Sequence, residues 1–150
     1  MFRKTIETEV IISSFPQRVW DILTDFNKYG EWNDFITSIT LKDAEELRVG
    51  DRLHVTVQIP EGGKNSFSPR VLKASPAQEL RWQGTLPIPG LFTGQHYFIM
   101  VPTGASGTTK LVHGENFHGL LVPLIGGLLE KTRKGFTIMN SGLKERAELI

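Results

Sequence analysis

A chain of 150 residues with 39% hydrophobic and 22% charged side chains has enough apolar surface for one real core and is not a disordered segment. A net charge of +1 supplies no global field to draw nucleic acid or an anionic membrane, and the lack of cysteine excludes disulfides, thiolate nucleophiles and iron–sulfur ligation. Glu7 and Glu9 stand where a signal peptide needs an apolar stretch, and the apolar run at 120–129 is far below the roughly 20 residues that span a bilayer. These features predict a cytoplasmic protein with no integral membrane segment, a single domain over 1–150, and an oligomeric state left open.

Residues 5–13 alternate and are rich in Val, Ile and Thr, which predicts a first strand. Ser14 is placed to cap a short helix with Pro16 in its first turn and Val19, Trp20, Leu23 and Phe26 at helical spacing. A second short helix is expected over 25–33, ending at Gly30. Strands follow at 35–43, 52–59, 66–74, 79–85, 92–101 and 108–117, separated by turn residues such as Pro60-Glu61-Gly62-Gly63 and Pro102-Thr103-Gly104. The loop Leu86-Pro87-Ile88-Pro89-Gly90-Leu91 is apolar, which is unusual for a connection. Consecutive hairpins make the sheet antiparallel, and no βαβ alternation or repeat is present.

The chain closes on its strongest signal. Leu121, Leu124, Ile125, Leu128, Phe136, Met139, Leu143, Ala147 and Ile150 recur at helical steps, with Thr132 the polar member of the stripe. With Pro123 in its first turn, such a helix runs roughly 40 Å at 1.5 Å per residue. It must bury its stripe against the sheet. Gly135 and Gly142, at the edge of the stripe, leave room for a neighbouring strand or for a ligand.

The order and spacing of several segments carry a resemblance. They are residues 12–25 with Pro16, Val19 and Trp20, then Tyr29 and Trp32, Glu79-Leu80-Arg81-Trp82, Gly94-Gln95-His96-Tyr97-Phe98, residues 108–119 with His113-Gly114-Glu115, and Gly135-Phe136-Thr137-Ile138-Met139. Over nearly its whole length the chain resembles the START-like superfamily, in its polyketide cyclase/dehydrase-like branch. The resemblance implies an α+β helix-grip fold, a curved antiparallel sheet wrapped around a long C-terminal helix with a cavity between them. Relatives bind lipids, sterols, plant hormones or polyketides there, and some catalyse cyclisation or dehydration. The fold supports a cavity without choosing the ligand.

Strand alternation assigns faces to that cavity. Leu80, Trp82 and Gly84 share one face, as do Phe92, Gly94, His96, Phe98 and Met100, and Leu111, His113, Glu115 and Phe117. The candidate ligand-binding set is Trp82, His96, Phe98, His113, Glu115 and Phe117 from the sheet, with Leu128, Phe136 and Met139 from the helix. His113 and Glu115, two apart on one strand, could pair, and three roles stay open for them: an internal hydrogen bond, a polar contact to a ligand, or general acid–base catalysis. Gly62, Gly63, Pro87, Ile88, Pro89 and Leu91 are expected to frame the cavity mouth, as a gate, a docking patch or a loop folded onto the core. The four histidines lack metal-ligand spacing and no cofactor motif is present, so no metal or cofactor is expected. The favoured function is binding of a hydrophobic or amphipathic small molecule, lipid or polyketide-like. The rivals are a cyclase or dehydratase using a His/Glu pair, and a non-catalytic interaction module with a filled interior.

Overall fold

The computed structural model describes residues 2–149; Ile150, the last member of the helical stripe, lies outside the described residues. Strand β1 (Arg3–Ile12) leads into helix α1 (Pro16–Thr24) and a 3-10 turn (Phe26–Glu31). Strands β2 (Ile36–Leu41), β3 (Leu53–Gln58), β4 (Lys64–Phe67), β5 (Arg70–Ser75), β6 (Glu79–Thr85), β7 (Thr93–Pro102) and β8 (Thr109–His118) follow. A 3-10 turn (Val122–Leu124) then precedes helix α2 (Gly126–Glu148). This is the α+β helix-grip arrangement, with the long helix held against a curved antiparallel sheet.

Two sheets share the curve: a five-stranded sheet in the order β1-β8-β7-β6-β5 and a three-stranded sheet in the order β2-β3-β4. The stretch expected as one strand over 66–74 is two strands, one in each sheet. Pro69 separates them, because it has no N–H to give a ladder. Its carbonyl accepts from Leu53 N at 3.0 Å, and Val71 N donates to Asp51 O at 2.9 Å, so the break is also the seam between the sheets.

Three helix-end expectations change. Ser14 does not cap α1: Phe15 occupies that position with no side-chain cap, and Ser14 is buried with its carbonyl accepting from Thr109 Oγ1 at 2.7 Å. Gly30 lies inside the 3-10 turn rather than ending it, and Pro123 belongs to the separate turn before α2. At 23 residues α2 is about 35 Å long. Its last carbonyls would otherwise lack partners; Arg18 of α1 donates to Ala147 O at 2.7 Å and to Leu149 O at 2.9 Å.

Phe136, Met139, Leu143 and Ala147 of the stripe are buried, as expected of a core face. Its first turns are not: Leu124 is 77% and Leu128 47% exposed, and Leu129 is the buried residue there. Gly135 and Gly142 both sit at close approaches. A Cβ on Gly135 would overlap the ring of Phe35, and one on Gly142 would overlap the carbonyl oxygen of Trp32. Close packing therefore accounts for both.

Candidate functional site

Cross-strand register arranges the concave face of the large sheet in rows. Leu80, Phe98 and His113 stand side by side, then Trp82, His96 and Glu115, then Gly84, Gly94 and Phe117. The first row is filled: Phe98 and His113 are fully buried and Phe136 of α2 stacks on the His113 ring with centroids 4.2 Å apart. In the third row two glycines are neighbours, and their missing side chains leave space. A cavity of about 470 Å³ opens over the second and third rows, closed on its other sides by the small sheet and the start of α2.

The wall is mainly apolar. Trp82 and Phe117 contribute from the large sheet, Phe35, Val57 and Phe67 from the small sheet side, Leu128 and Leu129 from the helix, and Ile125 from just before it. Of the residues named from sequence, Trp82, His96, Glu115, Phe117 and Leu128 line this cavity. Phe98, His113, Phe136 and Met139 lie beneath its floor in the solid core, and none of them lines it.

The mouth residues have a similar division. Gly62, Gly63, Pro87, Ile88, Pro89 and Leu91 do not line the cavity, whereas Leu86 and Phe92 at the ends of the apolar loop do. Phe67, Leu86 and Leu128 are both lining and at least 38% exposed, which marks where the cavity meets the surface. The loop over 86–92 is not folded onto the core at its tip, since Ile88 is 63% exposed. It is stitched to the segment before α2: Leu120 N donates to Gly90 O and Leu121 N to Leu91 O, each at 3.1 Å. Gly119 permits the approach, with φ +133 and no room for a Cβ against Leu91 and Phe92. The other loop is tied to α2 by Glu61, 3.2 Å from Lys134 Nζ.

The polar groups form one directed chain. Thr8 Oγ1 donates to the His113 carbonyl at 2.9 Å, so it accepts from Asn140 Nδ2 at 2.8 Å. Asn140 Oδ1 therefore faces His113 Nδ1 at 2.7 Å, and that nitrogen carries the proton. Burial holds the His113 ring neutral by pushing its pKa well below the ordinary 6.5, with the nearby His96 acting in the same direction and the Asn140 hydrogen bond against it. His113 Nε2 is then a bare acceptor, and His96 Nε2 donates to it at 2.7 Å. His96 Nδ1 remains, 3.3 Å from Glu115 Oε1.

Glu115 is thus partnered with His96, opposite it on β7, and not with His113 two residues away on its own strand. Residues 113 and 115 of one strand are separated along the strand, whereas the cross-strand neighbour is closer. His113 is shut off from the cavity and acts only through His96. Sequence reasoning missed Asn140, and it placed Gly94 on the cavity face without its role. Asn140 lies four residues after Phe136 on the buried stripe, a visible polar interruption. Gly94 matters because a Cβ there would collide with Glu115 Oε2, so its absence gives the carboxylate its place beside the cavity. Among the described residues no group of three His, Cys, Asp or Glu side chains is arranged to hold a metal ion.

A curved antiparallel sheet gripping a long helix, with an apolar cavity between them, defines a START-like protein. The chain belongs to the polyketide cyclase / dehydrase and lipid transport family, whose sequence profile matches residues 3–148. No curated protein is significantly similar to it in sequence. Its fold is similar to that of the Zhui aromatase/cyclase from Streptomyces sp. R1128, with TM-score 0.78 at 16% identity over 98% of this chain and 94% of that one. It is also similar to a START superfamily protein from Mycobacterium smegmatis, with TM-score 0.70 at 20% identity over 96% and 97%. A hypothetical protein from Helicobacter pylori shares the fold with TM-score 0.77 at 14% identity over 97% and 88%. No helix among the described residues is long and apolar enough to cross a membrane.

Proposed function

We propose that this protein encloses a hydrophobic or amphipathic small molecule, lipid or polyketide-like, in the cavity between the sheets and α2. The observation that carries this reading is the cavity itself, about 470 Å³ of mainly apolar wall with one His–Glu pair in it. That size and composition suit a small-molecule site. The apolar wall supplies affinity at about 25 cal/mol per Å² removed from water. His96 and Glu115 orient the polar end. An interaction module with a filled interior fits this cavity poorly.

Gly84 provides the test. A Cβ there would meet only Phe67, at 3.7 Å, an ordinary van der Waals contact, and Gly84 lines the cavity, so a side chain added at this position takes up cavity space. Gly84→Leu is expected to weaken binding of the neutral dye Nile red at least about tenfold while the melting temperature holds or rises. Undiminished binding in that variant would place the ligand elsewhere.

A second reading, a cyclase or dehydratase, is favoured by the directed chain that ends at the Glu115–His96 contact. Glu115 would exchange a proton with the substrate and His96 with Glu115, while His113 and Asn140 hold the His96 ring. Glu115→Gln is then expected to slow turnover of a poly-β-ketone substrate by about 10²- to 10⁴-fold, with Nile red binding retained. Unchanged product formation in the variant would dismiss this role.

A further inference from the structure

The hydrogen-bond chain ends at the contact between His96 Nδ1 and Glu115 Oε1, 3.3 Å apart, which has room for at most one proton. With no proton there, or with the proton on His96, both carboxylate oxygens are acceptors. With the proton on Glu115, it lies on Oε1 towards the ring, and Oε2 is a carbonyl oxygen. In each state Oε2 accepts hydrogen bonds and donates none. Oε2 occupies the space over Gly94, and both residues line the cavity. It has no hydrogen-bond partner among the described residues.

The wall offers an anion no cationic partner beyond that pair. No Lys or Arg lines the cavity. Any charge on His96 faces Glu115. The hydroxyl of Thr132 donates to Leu128 O at 2.8 Å, Ser66 Oγ shares a hydrogen bond with Thr56 Oγ1 at 2.9 Å, and the other neutral donors of the wall, Asn65 and Thr85, are exposed residues. The Trp82 indole N–H has no partner, but it also has no surface open to the cavity. An ionised headgroup beside Glu115 would be desolvated next to a like charge or a bare acceptor.

We propose that the polar end of the cavity selects a ligand bearing a neutral hydrogen-bond donor, a hydroxyl or phenol, and rejects a carboxylate. The inference rests on the reading of the cavity as a binding site, and it assigns Glu115 Oε2 as the specificity-determining atom. Gly94 is the positioning residue that holds the place for it.

The test compares three probes on the full chain near neutral pH by titration calorimetry: naphthalene, naphthol, and naphthoate substituted at the same ring position. Naphthol is expected to bind at least about tenfold tighter than naphthoate. In Glu115→Gln, which removes the negative charge while keeping the shape, that ratio is expected to fall to about threefold or less. Naphthoate binding as tightly as naphthol in the unaltered protein would overturn the inference, and so would a ratio that Glu115→Gln leaves unchanged. Naphthalene separates the two levels of failure. If it binds and the headgroups make no difference, only the selectivity is wrong; if none of the three binds, the cavity reading falls with it.

Discussion

Phe136→Ala is expected to destabilise the protein by about 3–5 kcal/mol, the range for truncating a fully buried aromatic ring. Phe136 has no exposed surface and touches both halves of the interior. It meets Phe35 of the small-sheet side edge-on at 5.6 Å, stacks on His113 at 4.2 Å and lies 4.9 Å from His96. Removing the ring leaves a void under the floor of the cavity and frees the two imidazoles that it clamps. For a chain of this size the melting temperature should fall by about 10 °C or more. Phe136→Leu, which keeps most of the volume, is expected to cost far less, under about 1.5 kcal/mol. Thermal unfolding of the three proteins side by side checks this. A Phe136→Ala variant within about 1 kcal/mol of the parent would mean that the floor is not the packed layer described.

Acid is expected to weaken the fold before its carboxylates are protonated. The native His113 ring is held neutral by burial, with a pKa well below the ordinary 6.5, while the unfolded chain takes up a proton near that value. Below it the unfolded state binds more protons than the native state, so stability falls as pH falls. The contribution is complete above about pH 6.5 and declines beneath it, by at most about 1.4 kcal/mol per pH unit, until the pH reaches the native ring's own depressed pKa. Carboxylate losses come lower. Glu148, whose pKa the Lys144 ammonium and the Ser13 N–H hold below the ordinary 4.5, gives up its contribution only beneath that value. Urea unfolding at stepped pH should therefore show a slope between about pH 6.5 and 5 that His113→Gln flattens. An unaltered slope in that variant would assign the acid sensitivity to another group.

The strand faces were legible because alternation survives wherever one side of a strand is buried. Trp82, His96, Glu115 and Phe117 came together as the alternation placed them. Periodicity alone could not separate a stripe that faces solid core from one that faces a cavity. Leu128 and Phe136 carry the same pattern, yet one lines the opening and the other the packed layer. The break at Pro69 was visible as a residue without an N–H, but not its consequence, the division into two sheets.

The pairing of Glu115 depended on register. With the last turn over 102–107, the residue facing His96 would be His113; in the structure Pro102 pairs with Thr109, and Glu115 faces His96 instead. A one-residue change in where the turn begins and ends moves the partner by two, which keeps every face but changes every pair. Asn140 and the two adjacent glycines could be seen in the sequence. Their roles could not, because these follow from contacts between different elements of the fold, such as Asn140 of α2 with His113 of β8.

The most direct measurement is native mass spectrometry of the purified full chain, followed by organic extraction and identification of what is released. One apolar or amphipathic molecule per chain is expected, carrying a hydroxyl or phenol, retained under gentle ionisation and lost on unfolding. Gly84→Leu should be empty. A parent protein that holds nothing and takes up nothing when mixed with naphthol or a neutral lipid extract would contradict the central claim, and so would a Gly84→Leu protein carrying the same molecule.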